Sequence, residues 1–228
     1  MWLDTDVKKI DNPSSEILSS LLCLEELITA NDWNKEQLAR YGPLSGRPVL
    51  YQQRYYGKIQ GMMTKNYDQN DNIIQQETYN VINHYMKLFP NYEILKSELS
   101  ICPPGIEQGW HVDPRAFHRF SRRIHIPIVT NSNAYLDIED ARYHLETHSI
   151  YEFNNLKQHR SLNLGTSMRS HIIFDIIRKD WFESILEKNE MSVFYKIVTP
   201  TDKNNFHNPE TVMLSWDRST DFFNHAFE

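Results

Sequence analysis

The chain has 228 residues, 40% hydrophobic and 24% charged, with 24 Lys+Arg against 30 Asp+Glu for a formal charge of −6. That length holds one sizeable core without requiring two, and the acidic balance argues against a general nucleic-acid binder. No run approaches the roughly 18 apolar residues of a membrane span, the opening MWLDTDVKKIDNPSS has no long apolar core, and Cys23 and Cys102 do not make a disulfide scaffold. A cytoplasmic protein, monomeric or homodimeric and with two buried, reduced thiols, is expected.

In chain order, residues 1–12 read as a short strand or an arm. Asn12-Pro13-Ser14-Ser15 is a helix start, and apolar Ile17, Leu18, Leu21, Leu22, Leu24 and Ile28 continue it to near Asn31. A second short helix is read over Asn34–Arg40, then a turn-rich ordered loop from Tyr41 to Pro48. Val49–Tyr56 is a strand and residues 57–72 a loop. Ile73–Leu88 is an amphipathic helix whose core face is Ile74, Thr78, Val81, Ile82, Tyr85 and Met86, with Pro90 ending it. His84 on this helix is expected at the surface or in a satisfied contact.

From Tyr92 the pattern changes to short strands. These are Ile94–Cys102, Ile124–Thr130, Ala134–Ile138, Ala141–Leu145, Ser149–Phe153, Ser161–Leu164 and Ser170–Ile177. Many short strands with polar turns predict an antiparallel barrel or jelly roll. Beyond Trp181 a helical turn (Phe182–Leu186), strands Val193–Thr199 and Thr211–Trp216, and a terminal helix over Asp217–Glu228 are expected. The tail either packs on the body or contributes to a dimer contact. The division expected is an N-terminal helical and loop region (1–90), a β core (91–182) and a C-terminal extension (183–228).

The chemistry concentrates between Trp110 and Asp175. His111 and Asp113 are two apart, which puts both side chains on one side of an extended backbone. His159 returns to them if the intervening chain folds back as antiparallel strands. Two imidazoles and a carboxylate, with the remaining positions left to water and substrate, form the facial set of non-haem Fe(II) oxygenases. Arg169 follows, heading a strand whose Ile172-Ile173-Phe174 mark it as core, so its charge needs a partner such as an organic carboxylate. Arg123 and His125 share one strand face by the period of two. Arg115, Arg119, Arg122 and Arg123 make a local basic patch that fits an anionic substrate or co-substrate.

Taken in order, these residues resemble the aspartyl/asparaginyl β-hydroxylase family of Fe(II)/2-oxoglutarate dioxygenases, in the branch that includes small bacterial proline hydroxylases. The resemblance is carried by Pro104-Gly105, His111/Asp113, Arg123-Ile124-His125-Ile126-Pro127, Asn154-Asn155 before His159, Asn163, and Arg169 through Asp175, and it runs from Leu99 to Trp181. It implies a double-stranded β-helix of the cupin type, with the N-terminal helices packed on it. Fe(II) would be held by His111, Asp113 and His159. 2-Oxoglutarate would be held by Arg169 with Arg123, His125 and Ser100, while O2 serves as the second co-substrate.

The reaction implied is hydroxylation of an unactivated C–H, with 2-oxoglutarate decarboxylated to succinate. The substrate expected is a free amino acid such as proline, or a peptidyl Asp, Asn or Pro. Trp110, Arg115, His118, Arg119, Arg122 and Asn155 are the candidate substrate contacts, although Trp110 also reads as a packing wall and Asn155 as a turn support. Arg123 has a structural alternative, an ion pair with Asp175. His144, His148 and His171 are assigned surface or supporting roles. Two rival readings remain at this point: a metal-dependent cupin enzyme that does not use 2-oxoglutarate, and a β-barrel binding protein with a vestigial site.

Overall fold

A computed structural model describes residues 6–30, 49–54, 69–113 and 121–180. The helix expected over Asn34–Arg40, the loops at 41–48 and 57–68, and every element expected beyond Trp181 lie outside the described residues. In chain order the elements are β1 (Val7–Asp11), α1 (Leu18–Ala30), β2 (Val49–Arg54), α2 (Gln69–Met86), β3 (Tyr92–Cys102), β4 (Ile106–Glu107), β5 (Ser121–Val129), β6 (Ala134–Ile138), β7 (Ala141–Tyr143), β8 (Ile150–Phe153), β9 (His159–Asn163) and β10 (Arg169–Arg178).

The strands form two antiparallel sheets. The larger has the order β1-β8-β5-β10-β3-β2, the smaller β4-β9-β6-β7. From β3 onward the chain passes from one sheet to the other and back: β3 large, β4 small, β5 large, β6 and β7 small, β8 large, β9 small, β10 large. That alternating wrap of two facing sheets is the double-stranded β-helix, a jelly roll. β1 and β2, from the N-terminal region, extend the larger sheet at both edges through β8 and β3.

Two helices cover the outer face of the large sheet, and their sequence explains why. Leu21, Leu24 and Ile28 on α1, and Ile17 just before it, recur at helical spacing and are buried, while Leu18 and Leu22 face outward. The Ser14 hydroxyl accepts from the Glu16 backbone N–H and marks the start. On α2, Ile74, Thr78, Val81, Ile82 and Tyr85 are buried on one face. Apart from Thr78, these buried helical side chains share a single apolar cluster with Leu99, Ile101, Ile124, Ile126, Ile128, Ile150, Ile172, Phe174 and Ile176 from the sheet.

Some boundaries differ from the sequence expectation. α2 begins at Gln69, so its first turn extends into what the polar composition had suggested was loop. β7 stops at Tyr143. β9 begins at His159, two residues before the expected start, and that difference positions the site. His84 is largely covered, with Nδ1 3.6 Å from Glu16. Cys102 is buried, Cys23 only partly, and neither is joined in a disulfide.

Strand alternation sends the other half of the large sheet inward. In the β10–β5 pairing, His171 opposes Pro127, Ile173 opposes His125 and Asp175 opposes Arg123. In the β10–β3 pairing, Arg169 opposes Cys102, His171 opposes Ser100, Ile173 opposes Glu98 and Asp175 opposes Lys96. The face turned toward the small sheet is therefore mostly polar and ionic. A register shift between Ser170 and His171 places Val129 opposite Ser170, and Val129 joins the helix-covered cluster instead of continuing the inward row.

Candidate metal and co-substrate site

The site is assembled at one end of the space between the sheets. Pro103-Pro104-Gly105 turns the chain out of β3; Gly105 takes φ +73, which an L side chain rarely adopts, and its N–H donates to Asn163 O at 2.8 Å. Asn163 is fully buried, and its amide donates to the Cys102 and Ser167 carbonyls at 2.8 Å each. The approach to His111 is thus pinned against β9.

Backbone pairing then brings the two histidines together. His111 N–H donates to His159 O at 3.0 Å, and His159 N–H donates to His111 O at 2.8 Å. This reciprocal bridge places the rings side by side, with centroids 4.4 Å apart. Asp113 follows two residues later, and its N–H reaches Asn155 O at 3.3 Å. One ligand atom from each of His111, Asp113 and His159 lies within 4.8 Å of the others. Donors held at about 2.1 Å in a facial set sit about 3 Å apart, so metal loading asks each pair of donor atoms to close by up to about 2 Å.

The hydrogen bonds around the rings suit that use. His111 Nδ1 is 2.7 Å from Gly109 O, and His159 Nδ1 is 2.8 Å from Lys157 O. A carbonyl can only accept, so each ring carries its proton on Nδ1 and keeps its lone pair on Nε2, the arrangement of metal-ligating histidines. Gln108 Nε2 is 3.4 Å from the His111 Nε2. Burial pushes the His159 imidazole down to about 4; Asp113 opposes this, while His111 and Arg123 add to it. His159 is therefore neutral, as a ligand must be, across the physiological range.

Asp113 is held from two sides. Its Oδ2 accepts from Asn155 Nδ2 at 2.9 Å and from Arg123 Nη1 in a close ion pair. Arg123 also grips Asp175 with both sides of its fork, Nε to Oδ1 at 2.8 Å and Nη2 to Oδ2 at 2.9 Å. The ion pair weighed from the sequence as the alternative for Arg123 is thus present in the structure. Asp113 and Asp175 hold the guanidinium in its charged form against the cost of burial.

Arg169 is 3% exposed and stands on the inward face of β10. Its Nη2 is 3.3 Å from His171 Nδ1, and His125 Nδ1 is also 3.3 Å from that atom. Ser100, buried, lies across the ladder from His171. His125 packs edge-on against Phe153, centroids 4.7 Å apart, and Phe153 packs against His159 at 5.1 Å. Deeper on the same face, Lys96 Nζ meets Glu98 Oε2 at 2.6 Å. His171, assigned a surface or supporting role from the sequence, is 2% exposed and in the middle of this group. Its place two residues after Arg169 on an alternating strand is the signal that locates it.

Other expected contacts stand elsewhere. Arg122 points to the opposite face of β5 from Arg123, bonds both oxygens of Glu152 at 2.7 and 2.5 Å, and lies over Phe89 at 5.0 Å. Trp110 is 39% exposed under the Arg160 guanidinium at 4.7 Å; Arg160 in turn pairs with Asp137 and Glu107. Asn155 is at the site, but it serves Asp113. His144 Nδ1 is 3.1 Å from Ala134 O, and His148 Nε2 is 3.0 Å from Glu25. Arg115, His118 and Arg119 lie outside the described residues.

A jelly roll with paired histidines and a carboxylate at one mouth, and an arginine on its inner wall, is the architecture of a metal-dependent oxygenase. The model of the aspartyl/asparaginyl β-hydroxylase family matches residues 15–179, and the chain belongs to that family. The match takes in α1 and α2 as well as the motif region legible in the residues. Membership makes the protein a hydroxylase, an oxygenase of the class that works with Fe(II), 2-oxoglutarate and O2, and the His-Asp-His group matches that requirement.

Among solved structures the chain is similar to AviO1 from Streptomyces viridochromogenes Tue57, with TM-score 0.47, 17% identity, and coverage of 76% of this chain and 90% of that one. It is also similar to the viral collagen prolyl hydroxylase vCPH from Paramecium Bursaria Chlorella virus-1, with TM-score 0.43, 12% identity, 76% of this chain and 96% of that one. A 2OG-Fe(II) oxygenase family oxidoreductase from Burkholderia pseudomallei gives TM-score 0.41 and 10% identity, over 74% of this chain and 93% of that one. No curated protein matches the chain by sequence. Among the described residues, no helix is long and apolar enough to cross a membrane.

Proposed function

We propose that this chain hydroxylates a small charged substrate, using Fe(II) held by His111, Asp113 and His159 and 2-oxoglutarate held by Arg169. The observation that carries the metal assignment is the pair of Nδ1–H bonds to Gly109 O and Lys157 O, which leaves Nε2 of each ring to ligate beside Asp113. With O2 as the oxidant, bound iron and 2-oxoglutarate would supply the oxidation of the C–H bond, one oxygen atom going to the product hydroxyl and the other to succinate, with CO2 released. Everything else is done by the chain. Arg169 offers its fork to the distal carboxylate, with His125, His171 and Ser100 around it on the same wall. Phe153 closes the space between His125 and His159 and keeps water from that side.

The basic residues Arg115 and Arg119, close in sequence to Asp113, support a substrate with a carboxylate over an apolar one, because a desolvated charge needs a partner. A free amino acid such as L-proline is the first candidate, and a peptidyl Asp, Asn or Pro the second. Arg115, His118 and Arg119 remain candidate contacts for its carboxylate, whereas Arg122 is committed to Glu152. The test is succinate formation from 2-oxoglutarate with added Fe(II) and ascorbate, scored by mass spectrometry across free amino acids and a mixed peptide library. A +16 Da product on a free amino acid is expected. Product on peptides alone would move the substrate to the second candidate, and no substrate-stimulated succinate in either set would overturn the reading.

A further inference from the structure

The strands that carry the site also carry a buried arrangement that ordinary metal ligation does not require. Asp175 is 1% exposed and directly across the β5–β10 ladder from Arg123. It touches none of His111, Asp113 and His159 through any described hydrogen bond, yet both its oxygens are bonded to Arg123. A bidentate carboxylate fixes a guanidinium in plane and rotation. With Nε and Nη2 turned to Asp175, Nη1 is the corner presented to Asp113 Oδ2, the same oxygen that Asn155 engages.

We propose that Asp175 and Arg123 are positioning residues that pre-orient Asp113 for the metal, Asp175 working through Arg123. This rests on the reading that Asp113 is a metal ligand. Two donors on one oxygen set the carboxylate's rotation before an ion arrives. The second effect is electrostatic. A guanidinium with a single carboxylate partner closes on it with its whole fork and competes with a cation for it. Asp175 occupies that fork and carries the compensating charge, so Arg123 steers Asp113 without capturing it. Asn155 supplies the other half of the hold. The geometry is thus a chain of contacts, Asp175 to Arg123 to Asp113 Oδ2, with the ligand at its end.

The probe is Mn(II), titrated into metal-stripped full-length protein and followed by the electron paramagnetic resonance of the free ion, with thermal unfolding as the control for fold. Asp175→Asn keeps shape but leaves Arg123 to close on Asp113; Mn(II) affinity is expected to fall about tenfold or more, as for other outer partners of metal ligands. Asp175→Glu, which restores the charge, is expected to recover affinity to within about threefold of the parent. A buried ion pair that serves the fold alone would move the unfolding midpoint and leave the affinity of the folded fraction unchanged. If Asp175→Asn does not fold, the apolar double variant Arg123→Met/Asp175→Leu removes both charges together, and it too is expected to bind Mn(II) at least about threefold more weakly.

Asp113→Ala separates the two levels of the argument. Parent-like Mn(II) binding in Asp113→Ala would refute the ligand reading and this inference with it. Loss of binding there, combined with parent-like affinity in folded Asp175→Asn or in the folded double variant, would overturn the positioning role alone.

Discussion

On β10, Ile172, Phe174 and Ile176 turn to the helices, while Arg169, His171, Ile173 and Asp175 turn to the small sheet. β5 repeats the division, with Ile124, Ile126 and Ile128 against α1 and Arg123 and His125 inside. The outer face is closed by two helices into a continuous apolar cluster. The inner face holds Arg123 with Asp113 and Asp175, and Lys96 with Glu98. In many small barrels the inside is the main core. Here much of the apolar core of the large sheet lies beneath the helices, which frees the space between the sheets for charged groups that apolar packing alone would not tolerate. A smaller apolar group joins the two sheets, Leu136 and Ile138 of the small sheet and Leu145 packing with Tyr151 and Phe153 of β8 in the large one.

If the faces divide labour in this way, substitutions on each should fail differently. The largest effect is expected inside. His111→Ala/His159→Ala should take bound iron from one per chain to none while circular dichroism and the unfolding midpoint stay near the parent's. Unchanged iron stoichiometry on folded protein would refute the ligand assignment.

Phe174 is fully buried on the outer face, and Phe174→Ala should cost about 3–5 kcal/mol of stability in denaturant unfolding. The folded fraction should keep the parent's metal affinity. A metal affinity that fell in step with stability would merge the two faces into one cooperative unit.

Arg169→Ala sharpens the comparison within the inner face. Loss of one bidentate charge-assisted pair should weaken 2-oxoglutarate binding by about 2–4 kcal/mol, roughly 30- to 1000-fold, with little change for iron. Titration of both ligands checks this, and equal losses would make Arg169 a folding residue.

The smallest effect is expected on the small sheet's own polar cluster. Arg142, opposed by burial and aided by Arg160, holds the Asp137 carboxyl below its ordinary value of 3.8. A carboxyl depressed on folding contributes stability that is fully present above its unfolded value and is lost as pH falls through the lower folded value. Asp137→Asn should therefore flatten the acid limb of stability below about pH 4. Urea midpoints between neutral and strongly acidic pH measure this, and an unaltered acid limb would place the acid sensitivity elsewhere.

Much of this could be read along the chain. The Ile17-Leu21-Leu24-Ile28 spacing fixed the buried face of α1, and the sequence Arg-Ser-His-Ile-Ile-Phe-Asp-Ile-Ile carries the two faces of β10 in its alternation. Helical and strand periods are local, so they survive in sequence order. The grouping of His111, Asp113 and His159 could be anticipated for a similar reason: few side chain types ligate iron, and these stand in the order the resemblance implies. What the linear order did not reveal was who meets whom. Arg122 and Arg123 are adjacent and chemically alike, yet one serves Glu152 beside the helices and the other serves Asp113 and Asp175 inside. Trp110 borders His111 and packs on Arg160 instead. The alternation puts His171 on the same face as Arg169, but its contact with His125 across the ladder appears only in the structure. Partner choice depends on strand register and on which sheet covers which face. A shift of one residue reverses every side chain, and that register is set by contacts distant in sequence, so tertiary structure alone decided it.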